Sequence, residues 1–446
     1  MIPKLQHAWQ QMRSSFWFLP AVIVLIAVGL AASLIALEAN IEMHFDTKWP
    51  LLFGAGAAGS RGLLTAVASS MITVAGVVFS ITIVALSLTS SQYTSRVLRN
   101  FMRDRVNQIV LGVFVGIFAY CLVVLRTIRG GDEGAFVPSL AVLGALVLAF
   151  VGTAFLIYFI HHISMSIQAS TIIAAAAAET IAAVEHLYPE GPINHYDAER
   201  GGNPEAALGE QIWTAVASRK TGYIESLDGE SLLAWARKQG TVVRMERGVG
   251  EFVVEGTPLV SVAGRIGPDD HAAAKLNSIY VISRQRTVQQ DASFGIRQIV
   301  DIAMKALSPG VNDTTTAVMC VDYLGAILAR LADREIRTLR HLDQAELRVI
   351  TRGPCFESLL AEAFDQIRQN AEGNVAVLTR QLQSLEIIAS RTAIKRRLQA
   401  LRQQSDLINT MAERTIPSPH DAAGVHATAA SLSRVLDALD EPPNSP

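Results

Sequence analysis

Four long stretches without a charged residue, at 16–37, 62–95, 106–125 and 134–178, crowd the first 178 residues of this chain. A helix rises about 1.5 Å per residue, so about 20 apolar residues cross a hydrocarbon core of about 30 Å. Lipid offers backbone amides no partner, so these stretches predict helices that bond internally. A buried soluble helix explains one such run but not four in succession. The first run exceeds a signal-peptide core, and Leu34-Ile35-Ala36 is followed by no small-residue cleavage site, so it reads as retained. The expectation is a transmembrane domain over 1–165 with spans at about 16–37, 64–90, 106–127 and 137–160.

Basic residues in the short connections set the orientation. Lys4 and Arg13 precede the first span, and Arg96, Arg99, Arg103 and Arg105 cluster after the second. The first and third connections dilute Lys48, Arg61, Arg126 and Arg129 with Glu38, Glu42, Asp46, Asp132 and Glu133. Both termini are therefore expected in the cytoplasm. A formal charge of −2 lacks the basic footprint of a nucleic-acid binder. Cys121, Cys320 and Cys355 lie far apart and form no metal-ligand spacing.

Beyond the spans, residues 166–212 read as a helical stalk and linker. An alanine run at 174–178 favours helix, and Pro189, Gly191 and Pro192 end it. If continuous from Val137, the helix would hold about 52 residues and reach roughly 78 Å. Residues 213–268 change period, with short β-branched runs separated by glycines. The stretch from Gly250 to Leu259 resembles the hairpin of barrel-sandwich modules such as biotinyl and lipoyl domains. Those carriers attach a cofactor to a lysine just beyond the hairpin, and here no lysine appears before Lys275. A structural or regulatory β module without cofactor is expected. Residues 269–350 and 355–415 read as helical, and 416–446, with five prolines, as a partly disordered tail. The fold class is thus a mainly α membrane protein: four transmembrane helices and a cytoplasmic α+β region.

Several motifs carry a family resemblance: Ser69-Ser70-Met71-Ile72-Thr73-Val74-Ala75-Gly76-Val77-Val78-Phe79-Ser80, then Ser90-Ser91-Gln92-Tyr93, Arg99-Asn100-Phe101 and Asp104-Arg105. With Gly222 to Val262, Arg286 to Asp291, Phe294-Gly295 and Asp301 to Ala317, they resemble a bacterial family of predicted membrane proteins known as domain of unknown function 2254. The resemblance implies four spans, a cytoplasmic C-terminus and a bacterial inner membrane. Thr94 and Thr314 stand where the family pattern would have Pro. The family supplies no reaction.

Ser69, Thr73, Gly76, Ser80, Ser87 and Ser91 in the second span are spaced by 4, 3, 4, 7 and 4, which places them on one helix face. Such a stripe suits a pore at the axis of a homo-oligomer, or close packing of helices through small residues. Arg96, Arg99, Arg103 and Arg105 would then form an anion-favouring cytoplasmic mouth, set topology, or contact anionic lipid. No charged side chain lies inside a span, which disfavours a proton relay. His161 and His162, adjacent on a helix, point about 100° apart and make poor joint metal ligands. Asp269 and Asp270 read as helix caps.

The segment from Leu307 to Thr316 concentrates Pro309, Gly310, Asn312 and Asp313, which suits a corner between helices. A sharper reading puts a small ion or anionic ligand at the following helix N-terminus, with Arg284, Arg286 or Arg297 helping Asn312 and Asp313. The chain shows no nucleophile elbow, zinc-protease pair, P-loop or dinucleotide fingerprint. The expected function is an oligomeric channel or pore lined by the second span. The alternatives are a membrane-anchored scaffold or sensor and, more remotely, a membrane enzyme.

Overall fold

The computed structural model describes residues 17–40, 56–92, 104–129, 136–188, 211–264, 269–336, 340–343 and 346–440. Two compact units divide the chain, Met1–Thr171 and Ile172–Pro446.

The first unit contains α1 (Phe18–Asn40), α2 (Gly56–Gln92), α3 (Arg105–Thr127) and α4 (Ser139–Ser166). Helix α3 is central and packs against the other three. Small residues permit that closeness. A Cβ added at Gly112 of α3 would lie 2.8 Å from Ile23 Cδ1 and 2.9 Å from Pro20 Cα of α1. One added at Gly152 of α4 would lie 3.1 Å from both Ile117 Cδ1 and Met71 Sδ. Helix α2 buries Leu64, Ala68, Met71, Ala75, Val78, Thr82, Ala85 and Thr89, a seam of alternating 3 and 4 spacing.

Polar links tie the helix ends in antiparallel register. Arg61 donates to the Ile128 carbonyl at 2.9 Å. Glu38, near the end of α1, accepts the N–H groups of Ser139 and Leu140 at 2.7 and 2.9 Å, capping α4. Away from the seams the bundle shows Leu25, Ile26, Phe150 and Ile157, each more than 60% exposed. Such exposed apolar side chains suit lipid.

Among the described residues six helices are long and apolar enough to cross a membrane, and not the four that sequence runs suggested. The additional two are α5 (Ala169–Leu187) and α9 (Thr314–Ala332). Helix α4 also stops at Ser166 instead of running on into α5. The hydroxyls of Ser164 and Ser166 donate to the carbonyls of Ile160 and Ile163, offering the backbone a competing bond.

The second unit opens within α5 and continues through β1 (Trp213–Ala217), β2 (Gly222–Leu227), α6 (Gly229–Gln239), β3 (Val243–Met245), β4 (Phe252–Val253), β5 (Pro258–Ala263), α7 (Asp270–Ile279) and β6 (Tyr280–Ser283). Next come α8 (Ala292–Ala306), α9, β7 (Arg340–Asp343), β8 (Glu346–Ile350), α10 (Phe356–Asn370), α11 (Val375–Ala389), α12 (Lys395–Thr415) and α13 (Pro419–Asp440). One sheet has the order β1-β5-β3-β8-β7 and the other β4-β2-β6. The expected hairpin from Gly250 to Leu259 does not form, because β4 pairs with β2 whereas β5 pairs with β1 and β3. Strand β8, from a region read as helical, joins the larger sheet parallel to β3, with Val243 opposite Val349. Residues of both sheets and of α6 and α7 share one core, in which Ile224, Leu232, Val243, Leu259, Val260 and Leu276 are fully buried.

Helices α8 to α13 make the rest of the unit. Gly295 of α8 abuts Thr180 of α5, and Gly325 of α9 lies against Ser384 of α11. Arg397 of α12 is buried and donates to the carbonyls of Leu331, Ala332 and Arg334 at 3.4, 2.9 and 2.9 Å, closing the end of α9. Its guanidinium also lies 5.1 Å from the Phe356 ring centroid. Burial pushes its pKa down, partly offset by Glu357 and Asp333. The tail read as partly disordered contains α13, which buries Val425, Leu432 and Leu436.

Candidate functional site

The α2 stripe occupies a definite side of its helix. Ser69, Thr73, Gly76, Ser80 and Ser87 are all exposed in the single chain. At about 100° per residue they span an arc of about 60°, centred nearly opposite the buried seam. Nothing lies within 4 Å of a Cβ built at Gly76. Thr73 donates its hydroxyl to the Ser69 carbonyl at 2.8 Å, which satisfies it without water. Ser91 is helical, but its side chain lies outside the description. Isoleucines and valines flank the arc, including Ile72, Val77 and Val84.

Of the four arginines read as a mouth, Arg96, Arg99 and Arg103 lie outside the described residues. Arg105 is the exposed first residue of α3. The adjacent Asp104 caps α3, accepting the Val106 N–H at 2.9 Å. Its other oxygen meets His162 Nε2 at 2.6 Å, and the His162 ring stacks on Tyr158 with centroids 6.0 Å apart. Sequence reasoning noted both residues separately. Pairing them required the antiparallel register of α3 and α4, since they are 58 positions apart. His161 is exposed.

The five ligand-site candidates of the second unit do not converge. Arg286 donates from Nε and Nη2 to both Asp291 oxygens at 2.7 and 3.0 Å. It also donates to Ser293 Oγ at 3.2 Å, and that hydroxyl donates to Glu362 at 2.5 Å. This network sits at the N-terminus of α8, where Asp291 accepts the Phe294 N–H. Gly250 closes over it with φ +87°, and a Cβ there would run into the Asp291 carboxylate. Burial and the nearby Asp291 push the Tyr188 phenol up to about 12. Arg297 pairs instead with Asp301 at 2.9 Å, and Arg284 is exposed.

Asn312 and Asp313 follow the opposite end of α8, roughly 20 Å from the Arg286 network. Asp313 caps α9, accepting the Thr316 hydroxyl at 2.6 Å and its N–H at 3.0 Å, which hold the carboxyl below the usual carboxylate range. Asn312, not Gly310, takes the left-handed turn, with φ +49°. Thr314, where the family pattern suggests Pro, accepts a bond from Asn374 at 2.8 Å. The corner is explained by capping, and the arginines supply it with no cation. Asp269 likewise caps α7 through the Ala272 N–H at 2.7 Å. Among the described residues no three His, Cys, Asp or Glu side chains gather as a metal site.

Comparison with known proteins gives a consistent result. A family described as "Predicted membrane protein (DUF2254)" matches residues 13–386. An uncharacterized protein of Mycobacterium tuberculosis (strain CDC 1551 / Oshkosh) is 34% identical over 445 residues, covering 97% of this chain and 84% of that protein. An uncharacterized protein of Mycobacterium bovis matches with the same identity and coverage. No solved structure matches. The α2 and α8 motifs and the apolar bundle fall within the matched region, and the chain belongs to the DUF2254 family of predicted membrane proteins.

Proposed function

We propose that this protein is a homo-oligomeric pore of the bacterial inner membrane, lined by the outward hydroxyl face of α2 and regulated by its second unit. The observation that carries the reading is the opposition of two stripes on one helix. The seam of Leu64, Met71, Val78 and Thr89 faces the bundle, while Ser69, Thr73, Gly76, Ser80 and Ser87 face away. Lipid-facing positions favour large apolar side chains, so a continuous small and hydroxylated arc suits water or another copy. Self-bonded hydroxyls such as Thr73 keep lone pairs for a passing ion or its water.

In this reading α1 to α4 span the membrane and both termini are cytoplasmic. Helices α5 and α9 are less apolar, with mean hydropathies of 1.2 and 1.4 against 2.4 to 2.7 for the other four. Helix α9 also carries Asp322, which forms an ion pair with Arg380 of α11, and α5 holds Thr180 against α8. Both fit as core helices of the second unit. A second reading uses the same stripe only to pack copies together, Ser69 with Thr73 and Gly76 with Ser80 forming small-residue pairs, in an anchored scaffold or sensor.

Single-channel recording in planar bilayers under a salt gradient separates them. The pore predicts discrete currents that Thr73→Leu and Ser80→Phe abolish, and these exposed positions leave the protomer core intact. Unchanged currents in both variants remove α2 from the path. Silence from an intact wild-type oligomer across voltage, tension and pH favours the scaffold.

A further inference from the structure

Asn107, in the first turn of α3, is only 1% exposed, and neither its Oδ1 nor its Nδ2 has a hydrogen-bond partner. Native interiors rarely leave such groups unpaired, and an amide unpaired at both ends calls for a small polar partner.

The position of this residue follows from helix register. Phe114, one heptad along α3, and Ile117 pack where Met71 of α2 and Gly152 of α4 meet. Both partners run antiparallel to α3, so the layer of Asn107 falls seven residues further along each. Those residues are Val78 and Phe159, which are 1% and 0% exposed. One turn beyond Val78, buried Thr82 donates its hydroxyl to the Val78 carbonyl at 2.8 Å and retains its lone pairs. The Asp104–His162 pair closes the same end of the bundle.

The chemistry of an amide selects the occupant. A cation would satisfy Oδ1 and repel the NH2 group, while an anion would do the reverse. An apolar group would satisfy neither. Water both donates and accepts, and buried water occurs where a few polar atoms lack other partners. We propose that Asn107 holds an internal water site among α2, α3 and α4 of each protomer, beside the Asp104–His162 pair. The site lies inside one chain and stands whether or not the α2 stripe conducts.

Radiolytic hydroxyl footprinting of the full-length protein in lipid nanodiscs tests it, because radicals formed at a bound water label side chains that bulk solvent cannot reach. Oxidation of Phe159 is expected in the wild type and its loss in Asn107→Leu. The same substitution should lower the melting midpoint, since expelling the water strands its remaining partners. An unlabelled Phe159 in folded wild-type protein overturns the proposal without any variant. So does a raised midpoint in Asn107→Leu, which would mark a dry site relieved of an orphaned amide. Labelling that depends on one monovalent cation would assign the site to an ion instead.

Discussion

The two units solve opposite problems with the same residue types. In the first, the interior is one central helix and large apolar side chains also lie outside: Leu25, Phe150 and Ile157 face outward, and Thr82 and Thr89 turn their hydroxyls onto their own helix. The second keeps aliphatic side chains inside and places its charges in pairs such as Arg286–Asp291 and Arg380–Asp322. Glycine serves both, at Gly112 and Gly295, by letting helices approach. The difference teaches that what surrounds a helix, more than its composition, decides which face is core. Helices α5 and α9 meet the length and apolarity of a span, yet Ala176 and Leu324 are buried within a unit rich in ion pairs.

The largest effect should come from the buried cation of the second unit. Arg397→Leu strands three carbonyls at the end of α9 and is expected to cost roughly 3 kcal/mol or more. Urea unfolding followed by circular dichroism measures it; a loss below about 1 kcal/mol would mean that water reaches those carbonyls and the unit is wetter than described.

Gly112→Ala and Gly295→Ala form a matched pair, each expected to cost about 1–3 kcal/mol through overpacking. If the units are separate in their environments, Gly112→Ala should lower thermal stability in a detergent-dependent way and Gly295→Ala should not. Equal detergent dependence would break the comparison.

Glu38→Gln keeps the shape but removes the charge that caps α4, and about 1 kcal/mol of bundle stability should go with it. Thermal melting in one fixed detergent reads this out, and an unchanged midpoint would demote the cap to a bystander.

The smallest effect concerns acid. Hydrogen bonds from the Ser231 hydroxyl and N–H hold the Asp228 carboxyl below its ordinary value of 3.8, as Thr316 does for Asp313. A lowered folded pKa adds stability that is present above the unfolded value and disappears as pH falls through the folded one. The contribution of these caps should therefore decline only below pH 3.8, and Asp228→Asn with Asp313→Asn should flatten that part of the melting profile. A decline centred near pH 6 that the double variant abolished would contradict the assignment.

How much of this was legible depended on how local the cause was. The helices of the bundle could be read because each follows a long uncharged apolar run. Asp313 and Asp269 could be read as caps because the acceptor and its amide are three residues apart. The α2 spacings put its hydroxyls on one face but did not tell that this face is the outward one, since the seam of Ala68, Ala75 and Ala85 repeats with the same period. Strand β8 was harder to read because only one of its partners, β7, is adjacent in sequence, while the other, β3, lies about a hundred residues earlier. Arg286 and Asn312 were grouped by sequence nearness, yet a rigid helix of 15 residues stands between them.

Glu38 also imposes an order of assembly. Its two amide partners follow 101 and 102 residues later, so at cellular rates roughly 5–20 s separate their synthesis from its own. Through that interval the carboxylate can only be hydrated, and it exchanges water for Ser139 and Leu140 when the fourth helix arrives. The last helix of the bundle is thus latched to its first, and a nascent chain that mislays either one carries an uncovered carboxylate and two uncovered amides.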